Sequence, residues 1–567
     1  MTEYERWLKE ELDDKDLTKE LLAVKGQPEE INDRFYRDLE FGTGGLRGVI
    51  GAGTNRINVY TVRKATQGLA NYLNKHNSEE KALSVAIAYD SRNKGVLFAQ
   101  ESAAVLAANG IKAYLYTELM PTPSLSFAVR HLHCDAGICV TASHNPAKYN
   151  GYKAYGSDGC QVTEDMADGI MAEIQETDIF NDVKAEPFTD ALAAGKIQYI
   201  GEETFTAFID AVEGERILTS PASNLKLVYT PLNGSGKKCV LNILARIGVK
   251  DITVVPEQSE PDGNFPTCPF PNPEIREALQ KGLDLCEKTQ PDLLLATDPD
   301  CDRVGIAVNQ GGEFILISGN EVGILLLDFI ARFKKESGTL PKNPVAVTTI
   351  VSTDMVDDIA KDYGIEMRRV LTGFKYIGDQ IAELEAQGHP ERYLLGFEES
   401  YGYLSGGYVR DKDAVNGSML ICEMASYYKG KGMTLVDAIG ALYEKYGYYK
   451  NDLVNFGFEG EDGMKTMDGI MTHLRENPPK NIAGFCVVGR SDYKRSVAYN
   501  GETQTAITLP KSNVLEYRLE NGSKLIVRPS GTEPKIKIYL SGKGATKEES
   551  NEIIEKMKDD VKNVLGI

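Results

Sequence analysis

The feature that most constrains the fold is a recurring alternation of short apolar runs with helical runs. The apolar run 84–90 precedes a helical run at 99–108, which ends at the helix-terminating pair Asn109-Gly110. The same order returns across 225–255 and again across 345–371. Strand, helix and strand in succession predict parallel βαβ units. The chain is therefore expected to build α/β domains, in which helices flank each sheet.

Ser143 offers a hydroxyl nucleophile just after one of the apolar runs. Residues 136–140 read as a strand that is buried on both faces. Asn145-Pro146 then forces a turn, so Ser143 is expected at the carboxyl end of a strand, where open α/β sheets bind ligands. A serine reacts only with the help of a base, a metal or prior modification. The alternative is a turn serine that bonds only to its local backbone.

Three aspartates follow a second apolar run. Asp298, Asp300 and Asp302 alternate with other residues after the strand-like run 293–297, and Arg303 comes next. Carboxylates at this spacing repel one another unless a cation lies among them. An all-oxygen ligand set suits a hard cation such as Mg²⁺. The alternative is an acidic surface turn capped by the arginine.

Three further stretches combine turn residues with groups that recognise anions or hydroxyls. The glycine-rich stretch 41–48 carries Arg47, and 395–400 ends a predicted strand with the sequence Glu-Glu-Ser. In 524–534, an arginine, two hydroxyls and a run of backbone N–H groups follow a predicted strand, a combination suited to binding phosphate. Each stretch taken alone could be an ordinary turn.

Taken in order, these stretches resemble the signature motifs of the α-D-phosphohexomutase family, which includes phosphoglucomutases and phosphomannomutases. The motifs run from Arg47 to Lys537 and so cover nearly the whole chain. The resemblance implies three related mixed α/β domains, with βαβ-type sheets and flanking helices, and a smaller α+β C-terminal domain around a central cleft. The implied domains are 1–205 with the phosphoserine and an N-terminal helical extension, 206–320 with the metal, 321–449 with the sugar site, and 450–567 with the phosphate site.

The resemblance also implies a role for each matched residue. Ser143 would carry a phosphoryl group, and a phosphate oxygen on it would complete a site for one Mg²⁺ per active centre. The acceptor of the hydroxyl proton stays open among Lys153, Lys375 and His144. The implied sets are catalytic Ser143, Lys153, Arg47 and His144; substrate-binding Lys375, Glu398, Ser400, Arg528, Ser530, Gly531 and Thr532; and metal-binding Ser143, Asp298, Asp300 and Asp302, with Arg303 beside the metal loop.

Together these sites imply an isomerase that moves phosphate between two ends of one sugar. The implied reaction interconverts glucose 1-phosphate and glucose 6-phosphate, with glucose 1,6-bisphosphate as activator and as an intermediate that must turn round. Gly402, where mannose-directed enzymes carry a histidine, favours the glucose-directed branch. Alternatives are a phosphopentose or phosphomannose mutase, a sugar-bisphosphate synthase, a sugar-phosphate-binding protein without catalysis, or a phosphatase-like hydrolase.

Composition limits the partners and the compartment. A formal charge of −20 argues against nucleic acid, whose phosphates would be repelled, but a local basic cluster could still bind a sugar phosphate. The N-terminus is acidic and lacks an apolar core, and no apolar run is long enough to cross a membrane. Nine cysteines without a CxxC pair are typical of reduced cytosolic thiols. We expect a cytoplasmic protein, monomeric or weakly dimeric, without membrane or nucleic-acid partners.

Overall fold

The computed structural model describes residues 2–41, 45–78, 80–458, 463–530 and 535–567. The chain divides into two compact units. The first contains Met1–Gly319 and Ile377–Thr434, and the second contains Asn320–Tyr376 and Leu435–Ile567. Within the described ranges, every helix is too short or too polar to span a bilayer.

Three short helices form the N-terminal extension. They bury Trp7 completely. Its ring packs edge-on against Phe35 at 5.8 Å, Tyr60 at 5.6 Å and Phe180 at 5.3 Å between centroids. Such aromatic packing fixes the extension to the first α/β domain. The helices are α1 (Glu3–Lys9), α2 (Lys15–Ala23) and α3 (Pro28–Phe35).

The first sheet is mixed, with strand order β1-β5-β4-β2-β3-β6. Its strands β4, β2, β3 and β6 are parallel, whereas β5 runs antiparallel to both β4 and β1. The β4–β5 pairing sets Lys153 opposite Cys139 near the carboxyl end of β4. The elements are β1 (Gly45–Val49), α4 (Val59–Lys75), β2 (Ser84–Tyr89), α5 (Gly95–Ala108), β3 (Lys112–Tyr116), α6 (Thr122–His131), β4 (Ala136–Val140), β5 (Tyr149–Gly156), α7 (Glu164–Glu176), α8 (Phe188–Ala193), β6 (Ile197–Ile200) and α9 (Glu202–Glu213).

The second sheet has the order β11-β10-β9-β7-β8. The strands β9, β7 and β8 are parallel, and β10 and β11 extend the sheet as antiparallel strands. All five residues of β9 are buried, and the turn from β9 to β10 carries the three aspartates. The elements are β7 (Lys226–Thr230), α10 (Lys237–Arg246), β8 (Asp251–Val254), α11 (Arg276–Thr289), β9 (Leu293–Thr297), β10 (Val304–Gln310) and β11 (Glu313–Ile317).

The next stretch of chain again alternates strands with helices. Its first two strands, β12 and β13, are parallel, and the later β14 and β15 form an antiparallel pair. The elements are α12 (Gly319–Glu336), β12 (Val345–Thr349), α13 (Met355–Tyr363), β13 (Glu366–Val370), α14 (Phe374–Ala386), β14 (Tyr393–Glu398), β15 (Gly402–Leu404), α15 (Ala414–Gly430) and α16 (Leu435–Tyr446).

The C-terminal stretch is a different α+β construction. Its sheet has the order β16-β23-β22-β21-β18-β19-β20, all neighbours being antiparallel, and β17 pairs with β18. Two helices pack their apolar faces into the same core. The elements are β16 (Tyr448–Gly457), α17 (Gly463–Glu476), β17 (Asn481–Ile482), β18 (Phe485–Asp492), β19 (Val497–Asn500), β20 (Thr503–Ala506), β21 (Leu515–Leu519), β22 (Lys524–Pro529), β23 (Lys535–Gly544) and α18 (Lys547–Leu565).

Asp413 caps α15 from a fully buried position and makes stability depend on pH. Its carboxylate accepts hydrogen bonds from the amides of Val415 and Asn416 and from the Tyr408 hydroxyl. Burial raises the pKa of Asp413 to about 6, although these hydrogen bonds oppose the rise. Because an unfolded aspartate titrates near 3.9, the native state binds more protons between about pH 4 and pH 6. The stability gained from this group is therefore complete below about pH 4 and is lost as pH rises through 6.

We expect the difference in unfolding free energy between wild type and Asp413→Asn to fall by about 3 kcal/mol from pH 4 to pH 7. Asparagine keeps the capping oxygen but cannot ionise. Urea unfolding of both proteins at several pH values, followed by circular dichroism, measures this difference. Contributions from other titrating groups cancel between the two proteins. A difference that stays constant across the range would contradict the prediction.

Candidate active site

Ser143 lies where the sequence predicts it, just beyond the carboxyl end of β4. It is buried, and its φ of +52° places it in the left-handed region that non-glycine residues rarely adopt. The Thr141 hydroxyl accepts the Ser143 amide at 2.9 Å. The Ser143 hydroxyl lies 3.2 Å from Asp298 Oδ2 and 3.1 Å from His144 Nδ1. The nucleophile is thus held between a carboxylate and an imidazole.

The three aspartates form one buried group at the turn between β9 and β10. Asp298, Asp300 and Asp302 are all fully buried, and ligand oxygens from the three lie within 4.8 Å of one another. Asp298 Oδ1 accepts the amides of Asp302 at 3.1 Å and Arg303 at 2.9 Å, which shapes the turn. Burial, and then the charges of the other two aspartates, raise the pKa of Asp298 well above its usual value. The group therefore favours any cation that can approach it.

Two lysines approach this group from other elements. Lys153 Nζ on β5 donates to Asp300 Oδ2 at 2.9 Å and lies 3.6 Å from Asp302 Oδ2. Lys412 Nζ lies 2.8 Å from Asp302 Oδ2. Burial lowers the pKa of Lys153, but the aspartates more than offset this and leave it above the usual value. Two ammonium groups thus face three carboxyl groups, and neither lysine pairs with Asp298 in these contacts.

The triad fits a hard divalent cation. Asp300 Oδ1 and Asp302 Oδ1 are buried, and neither accepts a hydrogen bond from any residue that the structure describes. Carboxylate oxygens without hydrogen bonds in a dry site are costly unless a cation binds them. All the donors are oxygen, the set that Mg²⁺ and similar hard cations prefer. The residues that would hold the metal are Asp298, Asp300 and Asp302.

Arg47, His144 and Arg303 are the other residues predicted near Ser143, and Arg47 lies in a different setting from the one expected. Arg47 lies within strand β1, not in a glycine-rich loop, and its exposed guanidinium donates to Asn145 Oδ1 at 3.4 Å. Residues 42–44 of that stretch lie outside the described residues. Burial, and then the positive charges of Arg303 and Arg47, lower the pKa of His144 well below its usual value, so the ring is neutral at pH 7. Arg303 pairs with Glu274.

The predicted sugar-reading residues lie at the end of β14. Glu398 is the last residue of that strand and is buried, and Ser400 is half-buried in the turn towards β15. Burial lowers the pKa values of Arg303 and Lys412, but acidic neighbours more than offset this, chiefly Glu274 for Arg303 and Asp302 for Lys412, and Glu398 adds to both. Glu398 therefore belongs to the same electrostatic environment as the metal loop.

The other predicted substrate contacts belong to the second unit. Lys375 is buried in the first turn of α14, with its Nζ 5.0 Å from the ring centroid of Tyr376. Arg528 lies within β22 opposite Lys537, and Ser530 follows the strand, its amide donating to the Lys535 carbonyl at 2.7 Å. Gly531 and Thr532 lie outside the described residues.

Two polar contacts of the triad are not identified by sequence reasoning. Thr122, at the start of α6, donates its hydroxyl to Asp300 Oδ2 at 3.0 Å and its amide to the Asp300 carbonyl at 2.8 Å. Lys412 lies in the charged run between β15 and α15. That run is a visible signal for a site, but charged runs are usually solvated faces, so only the fold reveals which lysine reaches the triad.

With this geometry in view, comparisons with known proteins identify the family. Four models described as Phosphoglucomutase/phosphomannomutase match in order: alpha/beta/alpha domain I at 38–179, domain II at 206–312, domain III at 318–446 and the C-terminal domain at 486–559. The chain belongs to the phosphoglucomutase/phosphomannomutase family. The predicted fold class, three α/β domains and a C-terminal domain of different build, is confirmed.

Two bacterial relatives of similar length are both named phosphoglucomutase. A phosphoglucomutase of Staphylococcus saprophyticus is 38% identical over 517 residues, covering 90% of this chain and 92% of that protein. A Staphylococcus aureus phosphoglucomutase is 37% identical over 525 residues, covering 90% of this chain and 91% of that protein.

Solved structures share the fold at low identity. A putative phosphomannomutase from Thermus thermophilus aligns with a TM-score of 0.68 at 21% identity, over 93% of this chain and 99% of that one. Parafusin, a phosphoglucomutase from Paramecium in its open form, aligns with a TM-score of 0.68 at 17% identity. The alignment covers 94% of this chain and 95% of parafusin.

Proposed function

We propose that this protein is a phosphoglucomutase, an isomerase that interconverts glucose 1-phosphate and glucose 6-phosphate. The bacterial relatives at 37–38% identity, which carry that name, support the substrate. The observation that carries the proposal is the contact of 3.2 Å between the Ser143 hydroxyl and Asp298 of the buried triad. A serine beside a cation site is arranged to carry and transfer a phosphoryl group.

The proposed first half-reaction moves a phosphoryl group from Ser143 to the free hydroxyl of the sugar phosphate. The bond from phosphorus to Ser143 Oγ breaks, and a bond from phosphorus to the sugar oxygen forms. The proton leaving the sugar hydroxyl balances the proton that Ser143 Oγ gains. The product is glucose 1,6-bisphosphate and the free serine. Transfer of the other phosphoryl group back to the serine completes the cycle, so the bisphosphate also serves to activate unphosphorylated protein.

The groups around the serine are suited to stabilise this transfer. Mg²⁺ bound by the triad and by a Ser143 phosphate oxygen would supply a Lewis acid that offsets the charge on the transferring group. Lys153, held as an ammonium by Asp300, is proposed to give a proton to the departing serine oxygen and to recover one from the sugar. Arg47 and His144 border the same serine loop and are proposed to contact the phosphoryl group and Ser143 Oγ.

The substrate contacts are assigned from the family motifs. Glu398 and Ser400 offer a carboxylate and a hydroxyl, which suit the neutral edge of a sugar. Arg528, Ser530, Gly531 and Thr532 are proposed to bind the phosphate that is not reacting. Lys375 is proposed as a further substrate contact.

The proposal extends to the organisation of the whole molecule. We propose domains at 1–205, 206–320, 321–449 and 450–567, with the phosphoserine, the metal, the sugar site and the phosphate site respectively. We also propose a cytoplasmic enzyme that acts as a monomer or a weak homodimer. The acidic charge of −20 and the lack of any CxxC pair support that environment.

A substrate comparison tests the proposal. The protein is supplied with Mg²⁺, a trace of glucose 1,6-bisphosphate and either glucose 1-phosphate, mannose 1-phosphate or ribose 1-phosphate. Product is followed by coupled dehydrogenases. We expect kcat/KM for glucose 1-phosphate to exceed the other two by at least about tenfold, the size of effect that a lost buried hydrogen bond produces. A higher value for ribose or mannose would replace the proposal with the corresponding mutase.

A further inference from the structure

Four backbone carbonyl groups in and beside the Ser143 loop accept hydrogen bonds from the buried guanidinium of Arg92. Nη1 of Arg92 donates to the Pro146 carbonyl at 3.0 Å and to the Tyr149 carbonyl at 2.9 Å. Nη2 donates to the carbonyls of Ser143 and Asn145. Four converging carbonyl dipoles repel one another, and a guanidinium with its planar fork of donors can satisfy them all at once. The loop conformation therefore depends strongly on this side chain.

Arg92 is itself fixed from two sides. Its side chain is fully buried, with Nε 3.5 Å from Asp90 Oδ2, and its own amide donates to Asp90 Oδ1 at 2.9 Å. The guanidinium carbon lies 5.2 Å from the ring centroid of Phe265, a buried residue of the segment between β8 and α11. Asp90, just after β2, thus supplies the counter-charge, and Phe265 of the second α/β domain packs against the guanidinium. The arginine has little freedom to move.

The Asp90 carboxylate also anchors the amide of Ser143, through Thr141. Asp90 Oδ2 accepts the Thr141 hydroxyl at 2.6 Å, and the Thr141 oxygen accepts the Ser143 amide at 2.9 Å. The amide of Ser143 is therefore linked to Asp90 through Thr141, and its carbonyl is linked to Asp90 through Arg92. These two links hold Ser143 at a φ of +52°, a conformation that costs free energy in the absence of such support.

We propose that Arg92, anchored by Asp90 and Phe265, is a positioning residue for phosphoryl transfer that holds Ser143 Oγ against the aspartate triad. The inference rests on the proposed function of this site. Arg92 touches no reacting atom in this arrangement. Its effect is to keep the serine oxygen in line with the metal loop, and phosphoryl transfer depends steeply on such alignment. Loss of the fork should slow the transfer more than it weakens the binding of the sugar phosphate.

The decisive variant is Arg92→Lys, which keeps the buried charge but loses the fork. We expect kcat to fall by about 100-fold while KM changes less than about threefold, since a misplacement of about 1 Å has effects of that size. The rate at which Ser143 takes up a phosphoryl group from glucose 1,6-bisphosphate, measured in a single turnover, should fall by the same factor. The surface variant Arg246→Lys, whose arginine pairs with Asp210 and Glu213 in the same unit, is the matched control.

Thr141→Val provides a second test, because it removes the hydroxyl that links Asp90 to the Ser143 amide and leaves the Arg92 fork in place. We expect a smaller loss of kcat, about tenfold, with the same unchanged KM and with a circular dichroism spectrum like that of wild type. If Arg92→Lys does not fold, Thr141→Val tests the Asp90 anchor that both links share, and wild-type kcat in that folded variant would overturn the inference. Wild-type kcat in a folded Arg92→Lys protein, or a loss confined to KM, would overturn the inference. An inactive wild type would instead contradict the proposed function.

Discussion

Replacing Ser143 by alanine should lower the turnover of glucose 1-phosphate by about 10⁴-fold or more, the scale seen when a covalent nucleophile is removed. Among the residues that the structure describes, the side chain hydrogen-bonds to Asp298 and His144, so its loss leaves the loop hydrogen bonds to Arg92 intact. The same variant should take up no phosphoryl group from glucose 1,6-bisphosphate. A coupled dehydrogenase assay measures turnover, and intact-protein mass spectrometry measures phosphorylation.

Ser157→Ala is the matched control for this experiment. Ser157 is exposed in the turn that follows β5 in the same sheet. It should retain wild-type turnover and leave the phosphorylated fraction unchanged. Turnover close to wild type in Ser143→Ala would show that another group carries the phosphoryl group, and the proposed chemistry would then be wrong.

The second large effect is expected at the metal loop. Asp298→Asn keeps an oxygen that can accept the amides of Asp302 and Arg303, so the turn should persist. It replaces the carboxylate oxygen nearest Ser143 by an amide and removes one charge of the cation site. We expect kcat to fall by about 10³-fold, since a catalytic metal contributes several kcal/mol and each factor of ten corresponds to about 1.4 kcal/mol.

Metal dependence and metal binding test this expectation separately. A chelator should abolish wild-type turnover, and added Mg²⁺ should restore it. Calorimetric titration of the unphosphorylated protein with Mg²⁺ should give weaker binding for Asp298→Asn than for wild type. The control Glu287→Gln alters an exposed carboxylate of α11 in the same domain and should change neither quantity. Unaltered Mg²⁺ binding in Asp298→Asn would exclude Asp298 as a ligand.

The sequence predicts the local setting of the site well because that setting depends on short-range patterns. A continuous apolar strand followed by turn residues predicts the position of Ser143, and the same pattern predicts the position of the three aspartates. Periodicity and turn chemistry also predict the alternating strands and helices of each α/β domain. The antiparallel strands β5 and β10 were not predicted, since periodicity does not reveal the direction of pairing.

Contacts between distant parts of the chain could not be predicted from the sequence. Lys412 meets Asp302 across more than a hundred residues, and Thr122 meets Asp300 across 178. Arg47 was expected in a loop but lies in β1, because its pairing with Gly151 on β5 extends the sheet through it. Long-range pairing overrides the local preference of glycine-rich sequence for turns. Such contacts become visible only once the topology is known.

The buried position of Trp7 has a consequence for spectroscopy. It is the sole tryptophan among the 567 residues, and aromatic rings surround it at the junction of the N-terminal helices with the first α/β domain. Tryptophan emission from this protein therefore reports on one junction alone. Its red shift during denaturation would register the detachment of that helical layer, whereas unfolding of the C-terminal sheet would have to be followed through tyrosine or the far ultraviolet.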